Sequence, residues 1–148
     1  MAETITQLLT RDHSHCDDLF ATAEALGDAG AAPAAWRAFS AAMERHLGAE
    51  EGLLFPALDA AVGGSLPPVQ VMKLEHAQLR ALLSDLTDAA EGGSWDEVSG
   101  LAQTLLVLME QHNLKEQSVL YPMADRLLGA RAGALVAELT PLTGTPRA

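Results

Sequence analysis

The amino-acid sequence predicts an all-helical protein, folded as an up-down-up-down four-helix bundle with a short C-terminal fifth helix. Alanine and leucine are abundant, aromatic residues make up only 4%, and runs of β-branched residues are missing, which favours helix over strand. Four long segments carry apolar residues at helical spacing and are joined by short breaks. Because 148 residues suit one domain with a proper core, we assign residues 1–140 to that domain and residues 141–148 to a flexible tail.

Glycine and proline separate the first two predicted helices. The first helix covers about residues 3–26 and should end near Gly27 or Gly30. Pro33 suits the first turn of the second helix, which continues to about residue 61. The sequence GGSLPP at residues 63–68 is the plainest break in the chain. The first two helices therefore form a helical hairpin.

The second half of the chain follows the same plan. The third helix covers about residues 68–90 and stops at two glycines. Ser94 is the predicted N-cap of the fourth helix, and Glu97 would complete a capping box. The fourth helix covers about residues 95–128, and a short fifth helix covers about residues 131–139. Two hairpins of similar length therefore make up the bundle.

An internal repeat relates the two hairpins. HLGAEEGLLFP at residues 46–56 aligns without a gap with HNLKEQSVLYP at residues 112–122, so that histidine, glutamate, aromatic residue and proline coincide. The offset is 112 − 46 = 66 residues. Pro56 and Pro122 should bend their helices beyond the repeated motif, because proline removes a backbone hydrogen bond.

The repeated motif places an ionisable pair on an apolar helix face. His46 and Glu50, like His112 and Glu116, are four residues apart, so both side chains of each pair lie on one face of a helix. The neighbouring residues on these faces are apolar. Burying such a pair is costly unless a partner compensates it. A metal ion is one such partner.

Two further histidines complete the repeat. His13 and His76 are each preceded by an acidic residue and lie 76 − 13 = 63 residues apart. Packing two similar hairpins about a pseudo-twofold axis would bring four histidines and two glutamates together. Imidazole and carboxylate suit iron, manganese or zinc, whereas calcium and magnesium prefer oxygen alone. Six residues are too many for one ordinary site, so we expect two ions bridged by the glutamates, with these metal ligands: His13, His46, Glu50, His76, His112 and Glu116.

Charge and composition exclude several classes of partner. The formal net charge of −11 argues against nucleic acid and anionic membranes, which both attract basic surfaces. No apolar run reaches the length of a membrane span and the first residues lack the layout of a signal peptide, so we expect a cytoplasmic protein. We expect it to be a monomer or a homodimer. The single cysteine, Cys16, excludes an internal disulfide.

The pattern resembles the hemerythrin-like, or HHE cation-binding, proteins over about residues 4–128. The resemblance rests on four motifs: DH at 12–13, HxxxE at 46–50, EH at 75–76, and HxxxE followed by LYP at 112–122. It implies a four-helix bundle that holds two non-haem iron ions, bridged by carboxylates and by an oxo or hydroxo group. The implied ligands are small molecules: O2, H2O2 or NO.

Two departures distinguish the chain from the oxygen-carrying hemerythrins. Met72 stands where those proteins have a fifth ligand histidine, and Glu116 replaces an aspartate that lies one residue further on. The resemblance is closer to the HHE branch associated with iron or oxygen sensing, peroxide breakdown and nitric-oxide responses. We therefore expect a di-iron protein that handles peroxide or NO. An oxygen or iron sensor without turnover, and a storage or structural metal site, are the alternatives.

Other polar residues near the motifs receive simpler interpretations. His15 is predicted to lie on the surface, and Glu51, the runner-up carboxylate, to face water. Cys16 is predicted to be a small buried hydrophobe. Tyr121 could donate a proton or bind iron, but it lies nine residues after His112, or about 180° around an ideal helix, so its ring should point away from the site unless the Pro122 bend redirects it.

Overall fold

The computed structural model of the protein describes residues 2–144, and this part of the chain is helical with no strand. Four long arms run up and down the bundle, and two of them consist of two α-helices joined by a π-helical turn. The α-helices are α1 (Ile5–Leu26), α2 (Ala32–Ala49), α3 (Phe55–Val62), α4 (Pro67–Glu91), α5 (Trp95–Lys115), α6 (Tyr121–Leu128) and α7 (Ala132–Leu139). The π turns are Glu50–Leu54, between α2 and α3, and Glu116–Leu120, between α5 and α6. The four arms are therefore α1, α2 with α3, α4, and α5 with α6. Two 3-10 turns cover Gly129–Arg131 and Thr140–Leu142.

The packing of these helices confirms the predicted four-helix bundle. Helix α1 packs against α2, α2 packs against α4, and α4 packs against α5. Helix α6 closes the ring by packing on α1, and α7 also lies against α1. The predicted fifth helix is therefore present as α7. Within residues 2–144 we find no helix with the length and apolar character needed to cross a membrane.

The start of α1 is fixed by two sets of hydrogen bonds. Thr4 and Gln7 form a capping box at its N-terminus. The Asp125 carboxylate on α6 accepts hydrogen bonds from the backbone N–H groups of Ile5, at 2.8 Å, and Thr6, at 3.1 Å. Since a carboxylate at a helix N-terminus also interacts favourably with the helix dipole, this contact stabilises the packing of α6 on α1.

The capping box predicted at the start of α5 is wrong. Ser94 has ψ 71°, whereas the functional cap Thr4 is extended with ψ 163°, and the Ser94 side chain makes no capping hydrogen bond. Its backbone N–H instead donates to the Ala89 carbonyl oxygen at 2.9 Å, which closes the tight turn after α4.

A π turn precedes each of the two prolines at which a bend was predicted. Phe55 donates its N–H to the Glu50 carbonyl oxygen, and Tyr121 donates to Glu116, each across five residues instead of four. A proline ring clashes with the carbonyl four residues earlier, and a wider turn relieves this clash. Each π turn starts at the glutamate of a repeated motif and adds one residue to the helical turn.

Apolar residues fill the bundle on both sides of one polar layer. On one side, Phe20, Trp36 and Phe39 pack edge to face with ring centroids 5.3 to 5.9 Å apart. On the other side, the cluster includes Leu9 and Phe55. His13 lies on α1 between residues of these two clusters, so the predicted ligands occupy the middle of the bundle.

The chain after α7 returns to the bundle. Gly144 donates its backbone N–H to Asp12 Oδ1 at 3.2 Å, and a side chain at Gly144 would collide with His15. The flexible tail predicted for residues 141–148 is described only to residue 144, and residues 145–148 lie outside the described part of the chain.

Candidate metal centre

The six predicted metal-ligating side chains meet at the centre of the bundle. Each of the four long arms contributes one histidine, and the two glutamates are the first residues of the π turns. All six residues are 3% exposed or less. They are His13 on α1, His46 on α2, His76 on α4, His112 on α5, and Glu50 and Glu116.

These side chains form two sets of donor atoms. In the first set, which we call the α4–α5 position, Glu50, His76, His112 and Glu116 each offer one atom, and these atoms lie within 4.8 Å of one another. In the second set, the α1–α2 position, the same holds for His13, His46 and Glu116. Glu116 belongs to both sets, as a bridging carboxylate would.

Distances to the glutamates support a shared centre. Glu116 Oε1 is 3.0 Å from His13 Nε2, 3.3 Å from His112 Nε2 and 3.8 Å from His46 Nε2, and its Oε2 is 3.9 Å from His76 Nε2. Glu50 Oε1 is 3.2 Å from His76 Nε2 and 3.5 Å from His46 Nε2. Both carboxylates therefore lie between histidines of different helices.

Several of these donor atoms have no hydrogen-bond partner within residues 2–144. They are buried, and yet His76 Nε2 and Glu50 Oε1, 3.2 Å apart, lack the alignment of a hydrogen bond. His112 Nε2 and Glu116 Oε2 are likewise without a partner in this part of the chain. Buried polar atoms are rarely left in this state, because the cost is about 1–3 kcal/mol each. Atoms that converge on one point without bonding each other fit a cation, so the residues present suit a metal.

Carboxylates outside the cluster orient three of the histidines. Asp12 Oδ2 is 2.8 Å from His46 Nδ1, and Glu75 Oε1 is 2.8 Å from His112 Nδ1. These are the acidic residues that precede His13 and His76 in sequence, and each reaches the histidine of the next helix. Such contacts fix the tautomer and ring orientation and increase the basicity of the other ring nitrogen, which is the one available to a metal. The acidic residue that directly precedes each of His13 and His76 is therefore the sequence feature that could have indicated this orienting role.

Glu51 orients the remaining ligand of the α4–α5 position, so the prediction that it faces water is wrong. Its Oε2 lies 2.7 Å from His76 Nδ1 and 2.6 Å from Arg80 Nη1, and its side chain is only 32% exposed. The rotation of about 100° from Glu50 directs Glu51 towards α4 instead of solvent. These contacts lower the pKa of Glu51 despite the opposing effect of burial.

Tyr121 points into the site, so the prediction that its ring points away is also wrong. Its Oη lies 2.5 Å from Glu50 Oε2, 2.9 Å from Glu116 Oε1 and 3.0 Å from His13 Nε2. The π turn supplies the reason: one extra residue in the turn rotates the following side chains back by about 100° relative to an ideal α-helix. Nothing in the composition of the segment indicates that rotation, although the proline that follows Tyr121 is compatible with it.

Tyr121 also breaks the pseudo-twofold symmetry of the site. Its counterpart in the repeat is Phe55, whose ring centroid lies 5.3 Å from that of His76, as the Tyr121 ring lies 5.5 Å from that of His13. Both aromatic residues are fully buried. One half of the centre thus has a hydroxyl group where the other has only an apolar ring.

The cluster shifts the protonation equilibria of its members. Burial opposes a charge on His76, but the nearby Glu116 and Glu50 carboxylates outweigh it and raise the pKa of His76 to about 10. Burial likewise opposes a charge on Glu116, but hydrogen bonds from the histidines hold its pKa well below the usual range. His13 differs, because burial and the neighbouring His46 lower its pKa. A cation that binds here must displace protons.

A small cleft lies beside His112. It has a volume of about 180 Å³ and lies between α4 and α5, with His112 and Leu79 among its lining residues and Glu75 and Lys115 beside them. Lys115 Nζ donates to Glu75 Oε2 at 2.5 Å. A cleft of this size admits small molecules and excludes bulky substrates.

The arrangement of four histidines and two glutamates in a four-helix bundle agrees with the comparison with known families. A family model described as the hemerythrin HHE cation binding domain matches residues 4–124. The chain belongs to this hemerythrin family. A search of curated proteins and a search of solved structures found no significant match.

Membership in the hemerythrin family indicates a cation-binding site. Three other residues near the donor sets do not belong to them. Met72, one turn before His76 on α4, is buried among apolar residues and offers no nitrogen. Cys16 is buried as predicted, and burial raises the pKa of its thiol to about 12, which makes it a poor nucleophile. His15 is half-buried beneath Gly144 and lies outside the ligand sets.

Proposed function

We propose that this hemerythrin-family protein holds two iron ions and reacts with small oxidants, with peroxide or NO as the main substrate class. The observation that carries the proposal is the pair of donor sets that share Glu116 at the buried centre of the bundle. Mixed imidazole and carboxylate donors suit iron, and two sets that share a carboxylate suit two adjacent ions. Two irons together can supply or accept two electrons, which is the number that cleavage of one peroxide molecule requires.

The surrounding residues prepare the centre for this chemistry. Asp12, Glu75 and Glu51 hold the histidine rings in fixed orientations through their Nδ1 atoms. The apolar clusters above and below the site exclude bulk water from it. Tyr121 Oη holds a proton between the two glutamates, where a reaction of peroxide or oxygen would need one. The cleft beside His112 has room for small oxidants next to one of the proposed ligands.

A sensor of oxygen or iron is the second candidate function, and one feature favours it. His76 is linked through Glu51 to Arg80, and Arg80 Nε donates to Glu44 Oε2 at 3.1 Å near the surface of the protein. Occupancy of the centre would therefore change the charge that surface ion pairs experience. A partner that reads such a change would make the protein a sensor.

Peroxide turnover by the iron-loaded protein tests the proposal. Breakdown of two H2O2 molecules yields one O2 and two H2O, so an oxygen electrode follows the reaction directly, and an NO electrode tests the other substrate. The proposal predicts sustained consumption of peroxide, or of NO when an electron donor is added to reduce two NO to N2O and water, by iron-loaded protein and none by zinc-loaded protein. Oxidation of the iron once, without further consumption of either substrate, would favour the sensor.

A further inference from the structure

The two donor sets differ in whether their donor atoms already have hydrogen-bond partners. Every residue of the α4–α5 position has a buried atom without a hydrogen-bond partner among the described residues: Glu50 Oε1, His76 Nε2, His112 Nε2 and Glu116 Oε2. These are the residues that would ligate a cation there. An ion can enter this position without breaking a hydrogen bond of the free donors.

The donors of the α1–α2 position are engaged by one hydroxyl group. Tyr121 Oη lies 3.0 Å from His13 Nε2, 3.3 Å from His46 Nε2 and 2.9 Å from Glu116 Oε1. It is also 2.5 Å from Glu50 Oε2, so both carboxylates hold it in place. Because this oxygen is within hydrogen-bond distance of all three donors, a cation among them requires it to rearrange.

Within the described residues, three of the four histidines have a carboxylate partner on Nδ1, His46 through Asp12 among them, and the exception is His13 in the α1–α2 position. His76 and His112 each have a carboxylate on Nδ1, which fixes the rings before any ion arrives. His13 Nδ1, in contrast, is buried and has no hydrogen-bond partner in the described chain. Its ring is therefore less well fixed as a ligand. The cleft between α4 and α5 also borders His112, a residue of the α4–α5 position.

We propose that the chain takes up its two cations in a fixed order, the α4–α5 position first and the α1–α2 position second. The second step requires the Tyr121 hydroxyl to give up its hydrogen bonds with the donors of that position. Phe55, the counterpart of Tyr121, imposes no such requirement on the first step. This order rests on the two-metal centre proposed above.

Titration with Co2+ under argon tests the order without reference to activity. Cobalt accepts the same donors as iron, its visible absorption reports their geometry, and calorimetry gives both affinities. Wild-type protein should bind two ions, the second about tenfold or more weaker, as expected from breaking a hydrogen bond to a charged group. Tyr121→Phe should strengthen the second affinity about tenfold relative to the first, so that the gap between the two events narrows or closes. The substitution removes one oxygen and reproduces the residue found at Phe55, so the packing is preserved.

Two ligand variants identify which position fills first. His13→Ala should keep the tight event and lose the weak one, whereas His76→Ala should lose the tight event. The reverse result would overturn the order, and so would a weaker second affinity in Tyr121→Phe, since that would make Tyr121 a ligand. Two equal affinities, unchanged in Tyr121→Phe, would refute the order but leave the two-metal centre intact. Failure of wild-type protein to bind Co2+ would refute both.

Discussion

Glu51 provides a demanding test of how the protein prepares its metal ligands. His76 is fully buried, and the Glu51 carboxylate lies 2.7 Å from its Nδ1, so Glu51→Ala leaves that nitrogen without this acceptor. Loss of a contact of this kind typically weakens metal binding about 10- to 100-fold, or about 1.4 to 2.8 kcal/mol. We expect an effect of that size on the α4–α5 position, with the number of bound ions unchanged at saturation.

Glu44→Ala is a matched control for Glu51→Ala. Glu44 also accepts a hydrogen bond from Arg80 and carries the same charge, but its side chain is 49% exposed and it contacts no histidine among the described residues. Calorimetric titration of both variants with Co2+ under argon gives the comparison. We expect Glu44→Ala to bind as wild type does. Equal affinities in the two variants would refute the idea that Glu51 acts by orienting His76, and complete loss of binding in Glu51→Ala would make it a direct ligand.

Three further predictions concern the ligands, the oxygen chemistry and pH. Glu116→Ala should lose both ions because it belongs to both donor sets, whereas His15→Ala should retain them, and metal analysis of the two proteins decides. Met72→His should lengthen the lifetime of an oxygenated spectrum in air and lower peroxide turnover, since it adds a nitrogen one turn before His76; unchanged behaviour would contradict this. Cation affinity should rise as pH rises towards 10, because the raised pKa of His76 makes protons compete below that value, and pH-independent affinity would contradict it.

Regular helical geometry accounts for the features that the sequence was sufficient to predict. Residues four apart share a helix face, so His46 and Glu50 could be paired from their spacing alone. The repeat then implied that two hairpins place their motifs at one level of the bundle. The bundle, the helix order and the convergence of the six side chains follow from these two properties of the sequence.

Features that depend on local departures from the α-helix could not be predicted in the same way. The prediction for Tyr121 was wrong because a rotation of 100° per residue does not hold through a segment that forms a π turn. The prediction for Glu51 was wrong because its partners, His76 and Arg80, lie on another helix, and the sequence does not give the packing of that helix. The difference between the two donor sets depends on both residues and therefore emerges only from the structure.

The iron content of protein produced with ample iron tests the central claim most directly. The two donor sets that share Glu116 predict two irons per chain. Metal analysis together with the protein concentration gives that ratio, and an anaerobic iron titration of the metal-free protein should give the same end point. A reproducible ratio near one at full occupancy, unchanged by further iron, would contradict the two-metal centre.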